Sequence, residues 1–368
     1  MTDYTSMANG GLPRISPYQA GKPIEEVQRE LGLSEVIKLA SNENPFGMSK
    51  KAVAKCAEAL NSSHIYPDSN GYYLKQKLFE KFGYDPKTIT LGDGSNELIN
   101  LIFQTFINNK VNVVIPAYSF VVYPMEATVA DAQVKTIPLK DWVIDLDAVY
   151  DAIDSNTRMV VLANPANPTG TAVNINKLKE FVKKVPHETL VVIDEAYNEY
   201  QKEEDFDDTA KWIAECPNLI VSRTFSKAYG LAGLRIGYMV SNEEIASLVN
   251  RLRAPFNVNA IALTAAIEAL DDTDHLKMVV AENAKERDRY VKYCADHNLY
   301  MIPSQANFVS IDFKRDAFPI YDALLHRGVI VRPLKGYKLD TILRISIGTH
   351  DENTKLFKAL DEILKSLK

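Results

Sequence analysis

Short apolar runs recur through about the first two thirds of the chain, and segments with the apolar spacing of amphipathic helices separate them. The runs occupy residues 89–91, 111–115, 134–139, 159–162, 190–193, 219–221 and 236–240. Nearly continuous β-branched runs are typical of strands that are buried on both faces of a sheet. The pattern therefore predicts an α/β fold, in which a large domain holds a mostly parallel sheet flanked by helices.

The pattern changes from about residue 265, where helical segments precede a second group of strand candidates and a final amphipathic helix. These strand candidates occupy residues 307–312, 329–332 and 342–347. We expect a smaller α+β domain here. The sequence thus divides into an N-terminal arm over residues 1–40, a large domain over 41–265 and a small C-terminal domain over 266–368, which suits a chain of 368 residues.

Composition and charge exclude several classes of protein. The net charge of -6, without a long block of Lys and Arg, argues against a nucleic-acid partner. No apolar run reaches the length of a membrane span, and the first residues lack the segments of a signal peptide. The three cysteines, Cys56, Cys216 and Cys294, lie far apart, as expected in a reducing cytoplasm. The six histidines form no helical i, i+4 pair, so we expect no metal site.

One lysine, Lys227, lies between the last two apolar runs of the large domain. Burial lowers the pKa of an amine, and a neutral amine can bond to the aldehyde of a cofactor. The hydroxyls of Thr224 and Ser226 and the guanidinium of Arg235 are close enough in sequence to bind a phosphate together. A surface turn with a helix-capping serine is the alternative interpretation of this stretch alone.

A glycine-containing turn, residues 92–97, joins an apolar run to a helical segment. We expect Ser95 to cap that helix, so that free backbone N–H groups at the helix start bind an anion, usually a phosphate. A dinucleotide-binding fingerprint would have a third glycine in place of Glu97, which makes that interpretation weak. A simple capped turn is the alternative.

Polar side chains follow the predicted strands, and such groups gather beyond the carboxyl ends of strands in α/β sheets. Tyr118 follows one strand and could stack on a flat ring or pack in the core. Asn167 follows another, in a segment that prolines and a glycine restrain. Asp194 ends a third strand, with Tyr197 close behind, and a buried carboxylate needs a cationic partner such as a protonated pyridine nitrogen. Together with Lys227, these residues predict a site for a reactive aromatic cofactor.

These segments resemble those of the fold type I, aspartate aminotransferase-like enzymes that use pyridoxal phosphate, and more narrowly those of histidinol-phosphate aminotransferases. The matching motifs are Ser41-Asn-Glu-Asn-Pro-Phe-Gly47, Gly94-Ser-Asn-Glu97, Asn167-Pro-Thr-Gly170, Asp194-Glu-Ala-Tyr197, Ser226-Lys227 with Ala232-Gly-Leu-Arg235, and Leu343-Arg-Ile-Ser346. They extend over nearly the whole chain. The motifs are specific for fold and cofactor and less so for substrate, because aromatic-amino-acid aminotransferases share most of them. Ala166 departs from relatives that have a second asparagine there.

The resemblance implies pyridoxal 5'-phosphate as the cofactor, with Lys227 bonded to its aldehyde and Asp194 paired with its ring nitrogen. It also implies that Asn167 and Tyr197 hydrogen-bond the phenolic oxygen and that Tyr118 lies over the ring. The implied phosphate contacts are Ser95, Asn96, Ser226, Arg235 and, across the interface of a homodimer with shared active sites, Tyr66. Lys227, Asp194 and Tyr197 are thus the expected catalytic residues, and the arm is expected to pack on the small domain and the dimer partner.

Arg332 and Arg344 lie inside strand-like segments of the small domain. An arginine there faces solvent or pairs with a carboxylate in the simplest interpretation. The resemblance instead implies that Arg344 receives the anionic group of the substrate, with Arg332 as a second anion contact. Tyr18 on the arm is expected to close over the same site, and Asn42 belongs to a turn-rich loop that either faces the substrate or lies on the surface.

The implied activity is transamination between L-histidinol phosphate and 2-oxoglutarate, which gives imidazole acetol phosphate and glutamate in histidine biosynthesis. An aromatic-amino-acid aminotransferase of the same branch is the nearest alternative. A phosphothreonine-type decarboxylase and a non-catalytic regulator on this fold are more distant ones. The regulator is disfavoured because Lys227 is present and the chain shows no helix-turn-helix segment.

Overall fold

A computed structural model describes residues 3–8, 10–17, 21–202, 204 and 206–366. The helices are α1 Ile24–Leu31, α2 Lys50–Ala59, α3 Tyr72–Phe82, α4 Gly94–Phe106, α5 Val122–Val129, α6 Leu146–Asp151, α7 Ile175–Lys184, α8 Glu243–Asn250, α9 Ala260–Asp271, α10 Thr273–Asp296, α11 Phe318–Leu325 and α12 His350–Ser366. The strands are β1 Ile37–Lys38, β2 Ile89–Gly92, β3 Asn112–Pro116, β4 Gln133–Ile137, β5 Thr157–Ala163, β6 Leu190–Asp194, β7 Leu219–Thr224, β8 Gly237–Val240, β9 Tyr300–Ile302, β10 Phe308–Asp312, β11 Val329–Ile330, β12 Arg332–Leu334 and β13 Leu339–Ser346.

Seven strands form the larger sheet in the order β2-β8-β7-β6-β5-β3-β4. The neighbours from β7 through β4 run parallel, whereas β8 is antiparallel to both β2 and β7. Successive side chains of a strand point to opposite faces, so Val191 and Val192 of β6 belong to separate apolar cores on the two sides. The prediction of a mostly parallel sheet flanked by helices is confirmed, and each apolar run of the large domain overlaps one of these strands.

The second sheet has four antiparallel strands in the order β12-β13-β10-β9. Its apolar face packs with α10, α11 and α12 around a core that includes Tyr290, Ile320 and Leu356. The short strand β1 pairs in parallel with β11, which ties the N-terminal segment to this part of the chain. The predicted boundary between residues 265 and 266 falls within α9, and the division into domains stays a prediction.

Side chains close the starts of two helices. Ser49 caps α2, because its Oγ accepts a hydrogen bond from the Ala52 backbone N–H at 3.1 Å. The prediction that Ser95 caps α4 is wrong, because the helix begins one residue earlier, at Gly94, and Asp93 is its N-cap residue. A side chain inside the helix caps its start, because Glu97 Oε2 accepts a hydrogen bond from the Asp93 backbone N–H at 2.5 Å. Ser95 therefore keeps its hydroxyl available for another partner at the helix start.

The longest helix of the described ranges, α10, is largely polar, and none of the described helices combines the length and apolar character needed to cross a bilayer. Within the same ranges, no three His, Cys, Asp or Glu side chains group as metal ligands would. All three cysteines are buried free thiols.

Candidate active site

A cleft of about 280 Å³ opens beyond the carboxyl ends of β5, β6 and β7, between the two sheets. It collects most of the side chains that the sequence singled out. Those that line it are Asn42, Ser95, Asn96, Asn167, Asp194, Tyr197, Ser226, Lys227, Arg235, Arg332 and Arg344. They come from segments spread over some three hundred positions of the chain. The parallel arrangement of β5, β6 and β7 brings Asn167, Asp194 and Lys227 to one edge, and the second sheet supplies Arg332 and Arg344.

Lys227 lies just after β7, and its Nζ donates a hydrogen bond to the Ser41 carbonyl at 3.1 Å. Burial and, to a smaller extent, the Arg344 charge lower the pKa of Lys227 to about 8, against the opposing effect of Glu43. A substantial fraction of this amine is therefore neutral near physiological pH. Such an amine can attack an aldehyde or accept a proton from carbon.

Asp194 and Glu195 are consecutive buried carboxylates with different partners. Glu195 is satisfied by the protein itself, because Arg223 Nε lies 2.8 Å away and Thr209 Oγ1 lies 2.6 Å away. The Oδ2 of Asp194 accepts a bond from the Tyr123 hydroxyl at 2.6 Å, while its buried Oδ1 has no hydrogen-bond partner among the described residues. Burial raises the pKa of Asp194 to about 6. A cationic ligand group at Oδ1 would satisfy this carboxylate.

The start of α4 and the segment after β7 face each other across Arg235. The guanidinium donates to Ser226 Oγ at 3.3 Å and to the Asp93 carbonyl at 3.4 Å. Gly94 permits this approach, because a Cβ there would collide with the Arg235 guanidinium. Backbone N–H groups at a helix start, two hydroxyls and a guanidinium make a cradle for a phosphate.

Tyr197 and Asn167 lie on the same side of the cleft, each held by another predicted residue. Asn42 Nδ2 donates to the Tyr197 hydroxyl at 3.0 Å, and burial raises the pKa of Tyr197 to about 12, which keeps the phenol neutral. Arg344 Nη1 donates to Asn167 Oδ1 at 2.6 Å. Asn42 is only 1% exposed, so it belongs to the cleft wall and not to a surface loop.

Arg332 and Arg344 are directly opposite each other on the antiparallel strands β12 and β13. Arg344 is buried and also donates to the Ala40 carbonyl at 2.8 Å, so the solvent-facing interpretation of this residue is wrong. Arg332 is half-buried and lines both the cleft and a wider chamber of about 830 Å³ beside it. Two guanidinium groups at one end of a cleft offer strong recognition of an anion.

Three predicted residues lie outside the cleft wall or outside the described structure. Tyr118 lines the wider chamber, partly exposed, with its ring 6.0 Å from that of Trp142. Tyr66 is 78% exposed and stacks on Phe256 at 4.6 Å, away from the cleft of its own chain. Tyr18 falls outside the described residues. Their assigned contacts with the cofactor or substrate stay predictions.

The structure adds Tyr123, which sequence reasoning missed. Tyr123 lies on α5 and its hydroxyl reaches the acid at the end of β6, although the two residues are 71 positions apart. Along the sequence it is one more aromatic residue in an apolar helix. Only the packing of α5 on the sheet reveals its contact.

This arrangement fits pyridoxal phosphate on three independent observations. The unpartnered Oδ1 of Asp194 suits a protonated ring nitrogen, the partly neutral Lys227 suits an aldehyde, and the turn at Gly94 with Arg235 suits the phosphate. Asn167 and Tyr197 provide an amide and a phenol for the ring oxygen. The residues needed to hold the ring nitrogen, the aldehyde, the phosphate and the ring oxygen of the cofactor are thus all present in the cleft.

Comparison with known proteins agrees with this geometry. Residues 34–360 match the family Aminotransferase class I and II. The chain is 48% identical over 362 residues to histidinol-phosphate aminotransferase 2 of Haemophilus influenzae, covering 98% of this chain and 99% of that protein. It is 48% identical over 361 residues to histidinol-phosphate aminotransferase 1 of Mannheimia succiniciproducens, with coverage of 98% and 99%.

A solved structure shares the fold over almost the full length. The histidinol-phosphate aminotransferase of Sinorhizobium meliloti, in complex with pyridoxal-5'-phosphate, superposes with a TM-score of 0.90 at 31% identity and covers 97% of each chain. The expected fold type and cofactor are thereby confirmed. The chain belongs to the class I and II aminotransferase family, whose members are pyridoxal-phosphate-dependent enzymes.

Proposed function

We propose that this enzyme transfers the amino group of L-histidinol phosphate to 2-oxoglutarate, giving imidazole acetol phosphate and glutamate in histidine biosynthesis. The observation that carries the proposal is the pair Arg332 and Arg344, which face each other on β12 and β13 at the end of the cleft that holds Lys227. A phosphate dianion can engage two guanidinium groups, whereas a carboxylate is satisfied by one bidentate pair. The names of the relatives at 48% identity support the same substrate.

When bound, pyridoxal phosphate acts as an electron sink for the substrate carbon that loses its proton. Asp194 supplies the negative charge that faces the ring nitrogen. Lys227 Nζ takes the proton from the substrate carbon and later returns one, because its lowered pKa leaves part of the amine neutral. Arg235, Ser226 and the start of α4 would hold the phosphate of the cofactor and so would keep the cofactor beside Lys227.

Asn167 and Tyr197 orient the ring through its phenolic oxygen in this proposal. Arg344 bonds the Asn167 amide and Asn42 bonds the Tyr197 hydroxyl, so both groups are fixed before substrate arrives. Such prior fixing lowers the reorganisation that the reaction requires. Arg344 and Arg332 then bind the anionic end of the substrate and exclude neutral amines.

We further propose a cytoplasmic homodimer. Tyr66 and Phe256 stack on each other and are both exposed, so they form an aromatic surface that a partner subunit would cover. Tyr66 would then contact the phosphate in the partner's site. The three buried free cysteines suit a reducing compartment.

The test is a comparison of turnover on histidinol phosphate and phenylalanine, each with 2-oxoglutarate. One additional charge-assisted contact corresponds to about 1.5–3 kcal/mol, so kcat/KM for histidinol phosphate should be higher by roughly ten- to a hundredfold. Equal or better turnover of phenylalanine would support the aromatic-amino-acid aminotransferase instead. Release of carbon dioxide from a phosphorylated amino acid would support the decarboxylase.

A further inference from the structure

Tyr123 is fully buried, and its hydroxyl donates a hydrogen bond to Asp194. Its Oη lies 2.6 Å from Asp194 Oδ2. The ring is packed in the core between α5 and the sheet, with the Phe120 ring edge-on at a centroid distance of 5.8 Å. Because packing fixes the ring, it also fixes the position from which the hydroxyl donates.

The geometry of this contact suits the ionised state of Asp194. A distance of 2.6 Å lies in the range expected for a hydroxyl that donates to an ionised carboxylate. The bond engages Oδ2 alone, and Oδ1 has no hydrogen-bond partner within the described part of the chain. One carboxylate oxygen is thus fixed by the protein while the other remains for a ligand.

We propose that Tyr123 is a positioning residue that keeps Asp194 ionised and oriented toward the ring nitrogen of the bound cofactor. The inference rests on the proposed function in one respect, since Asp194 has its cationic partner only in the loaded enzyme. Tyr123 does not contact the reacting atoms in this account. It acts through Asp194, and its removal would weaken the electron sink without removing a catalytic group.

The charged and titratable groups around this pair act in both directions. They are Glu195 beside Asp194, Lys227 from the segment after β7, and Tyr197 and Tyr337, whose hydroxyls affect Tyr123. Burial raises the pKa of Asp194, and the Tyr123 hydroxyl bond, the Ala196 backbone N–H and the Lys227 charge oppose this effect, so that the resulting pKa is about 6. The Tyr123 bond is the largest of the opposing effects, so loss of this bond raises the pKa of Asp194 again.

The first experiment is an infrared titration of the Asp194 carboxyl in the cofactor-free full-length protein, with the Asp194→Asn variant identifying its band. Tyr123→Phe should move the midpoint upward by about one to two pH units, the equivalent of one hydrogen bond to a charged group. The matched control is Tyr290→Phe. It removes the hydrogen bond of another buried tyrosine hydroxyl, to Asn353 at 2.8 Å, in the core beside the second sheet. This control should leave the Asp194 midpoint unchanged.

A second variant keeps the test decisive if Tyr123→Phe folds poorly. Incorporation of 3-fluorotyrosine at position 123 retains the contact and makes the hydroxyl a stronger donor, so the Asp194 midpoint should move downward. In the loaded enzyme, isotope-labelled pyridoxal phosphate reports the protonation of its ring nitrogen. That proton should be present in the wild type near neutral pH and reduced in Tyr123→Phe.

The outcomes separate this inference from the proposed function. An Asp194 midpoint that is the same in all Tyr123 variants overturns the positioning role, whatever substrate the enzyme uses. A shifted midpoint in a protein that does not turn over histidinol phosphate retains the positioning role and contradicts only the substrate. A shift that Tyr290→Phe reproduces would mark a general loss of packing and would also overturn the inference.

Discussion

The amide of Asn42 donates to the Tyr197 hydroxyl across a distance of 3.0 Å. Asn42 is held from its other side by the second sheet, because its backbone N–H donates to Ser346 Oγ at 2.7 Å and Asn307 Nδ2 donates to its carbonyl at 3.0 Å. Its backbone takes a positive φ of 55°, a conformation that asparagine tolerates better than most residues. One residue thus connects the ends of β10 and β13 to a side chain beyond β6.

This connection predicts that Asn42 and Tyr197 act as a pair. Asn42→Ala and Tyr197→Phe should each lower kcat/KM, and the double variant should lose less than the two effects combined. The missing part corresponds to one hydrogen bond, about 0.5–1.5 kcal/mol in a double-mutant cycle. Additive losses would show that the two side chains contribute separately and that the bond does not position Tyr197.

Asp194→Asn should abolish most turnover while the cofactor-free protein keeps its melting temperature. An amide cannot balance the ring-nitrogen charge, although it keeps the volume of the side chain. Because the pKa of Asp194 is raised to about 6 in the fold, ionisation of this group costs stability as pH rises from about 4 to 6. The variant lacks this cost, so its melting temperature near neutral pH should equal or exceed that of the wild type.

Glu195→Gln is the matched control for that experiment. This substitution removes the carboxylate charge next to Asp194, which is paired with Arg223. The buried Arg223 guanidinium is then incompletely compensated. This variant should melt at a lower temperature, with a loss of up to about 3–5 kcal/mol. If Asp194→Asn retains turnover, or is destabilised like Glu195→Gln, Asp194 is a structural carboxylate.

Arg332→Ala and Arg344→Ala should separate general binding from substrate choice. Arg344 also holds Asn167 and the Ala40 carbonyl, so its loss should impair every substrate. Arg332→Ala should lower kcat/KM for histidinol phosphate by about ten- to a hundredfold and that for phenylalanine much less. An equal effect of Arg332→Ala on both substrates would refute the two-arginine account of specificity.

Tyr66 should act in the site of the neighbouring subunit. Its side chain is exposed and does not line the cleft of its own chain, so it is free to contact a neighbouring subunit. Mixing inactive Lys227→Ala subunits with subunits of an inactive Tyr66 variant should restore partial activity in hybrid dimers, because one of the two sites then has both residues. Hybrids that form, as mass spectrometry would show, and remain inactive would exclude a shared site.

Much of the site follows from the order of residues along the chain. Asp194, Asn167 and Lys227 could be predicted because a polar residue directly after a buried strand must reach the edge where parallel strands end. The same rule does not predict which side chains form hydrogen bonds with these residues. Tyr123 lies within an apolar helix and looks like a core residue, and its hydroxyl bond depends on how α5 packs against β6.

Two features could not be predicted correctly from the local sequence, because they depend on contacts with other parts of the fold. The cap of α4 comes from the side chain of Glu97, four residues after the group that it binds, so the nearby Ser95 was a plausible but wrong choice. Strand β9 did not appear in the sequence pattern, because Tyr300 and Met301 remain partly exposed and the strand depends on pairing with β10. The resemblance to a known family supplied the role of Tyr66, which no local pattern gives.

The most direct test of the central claim is to locate the lysine that bonds the cofactor. Borohydride reduction of the loaded enzyme, followed by peptide mapping, should place the cofactor on Lys227. Lys227→Ala should bind no label and lose at least the ~10²–10⁴-fold contribution of a positioned acid and base. A label on any other lysine, or full turnover by Lys227→Ala, would contradict the account.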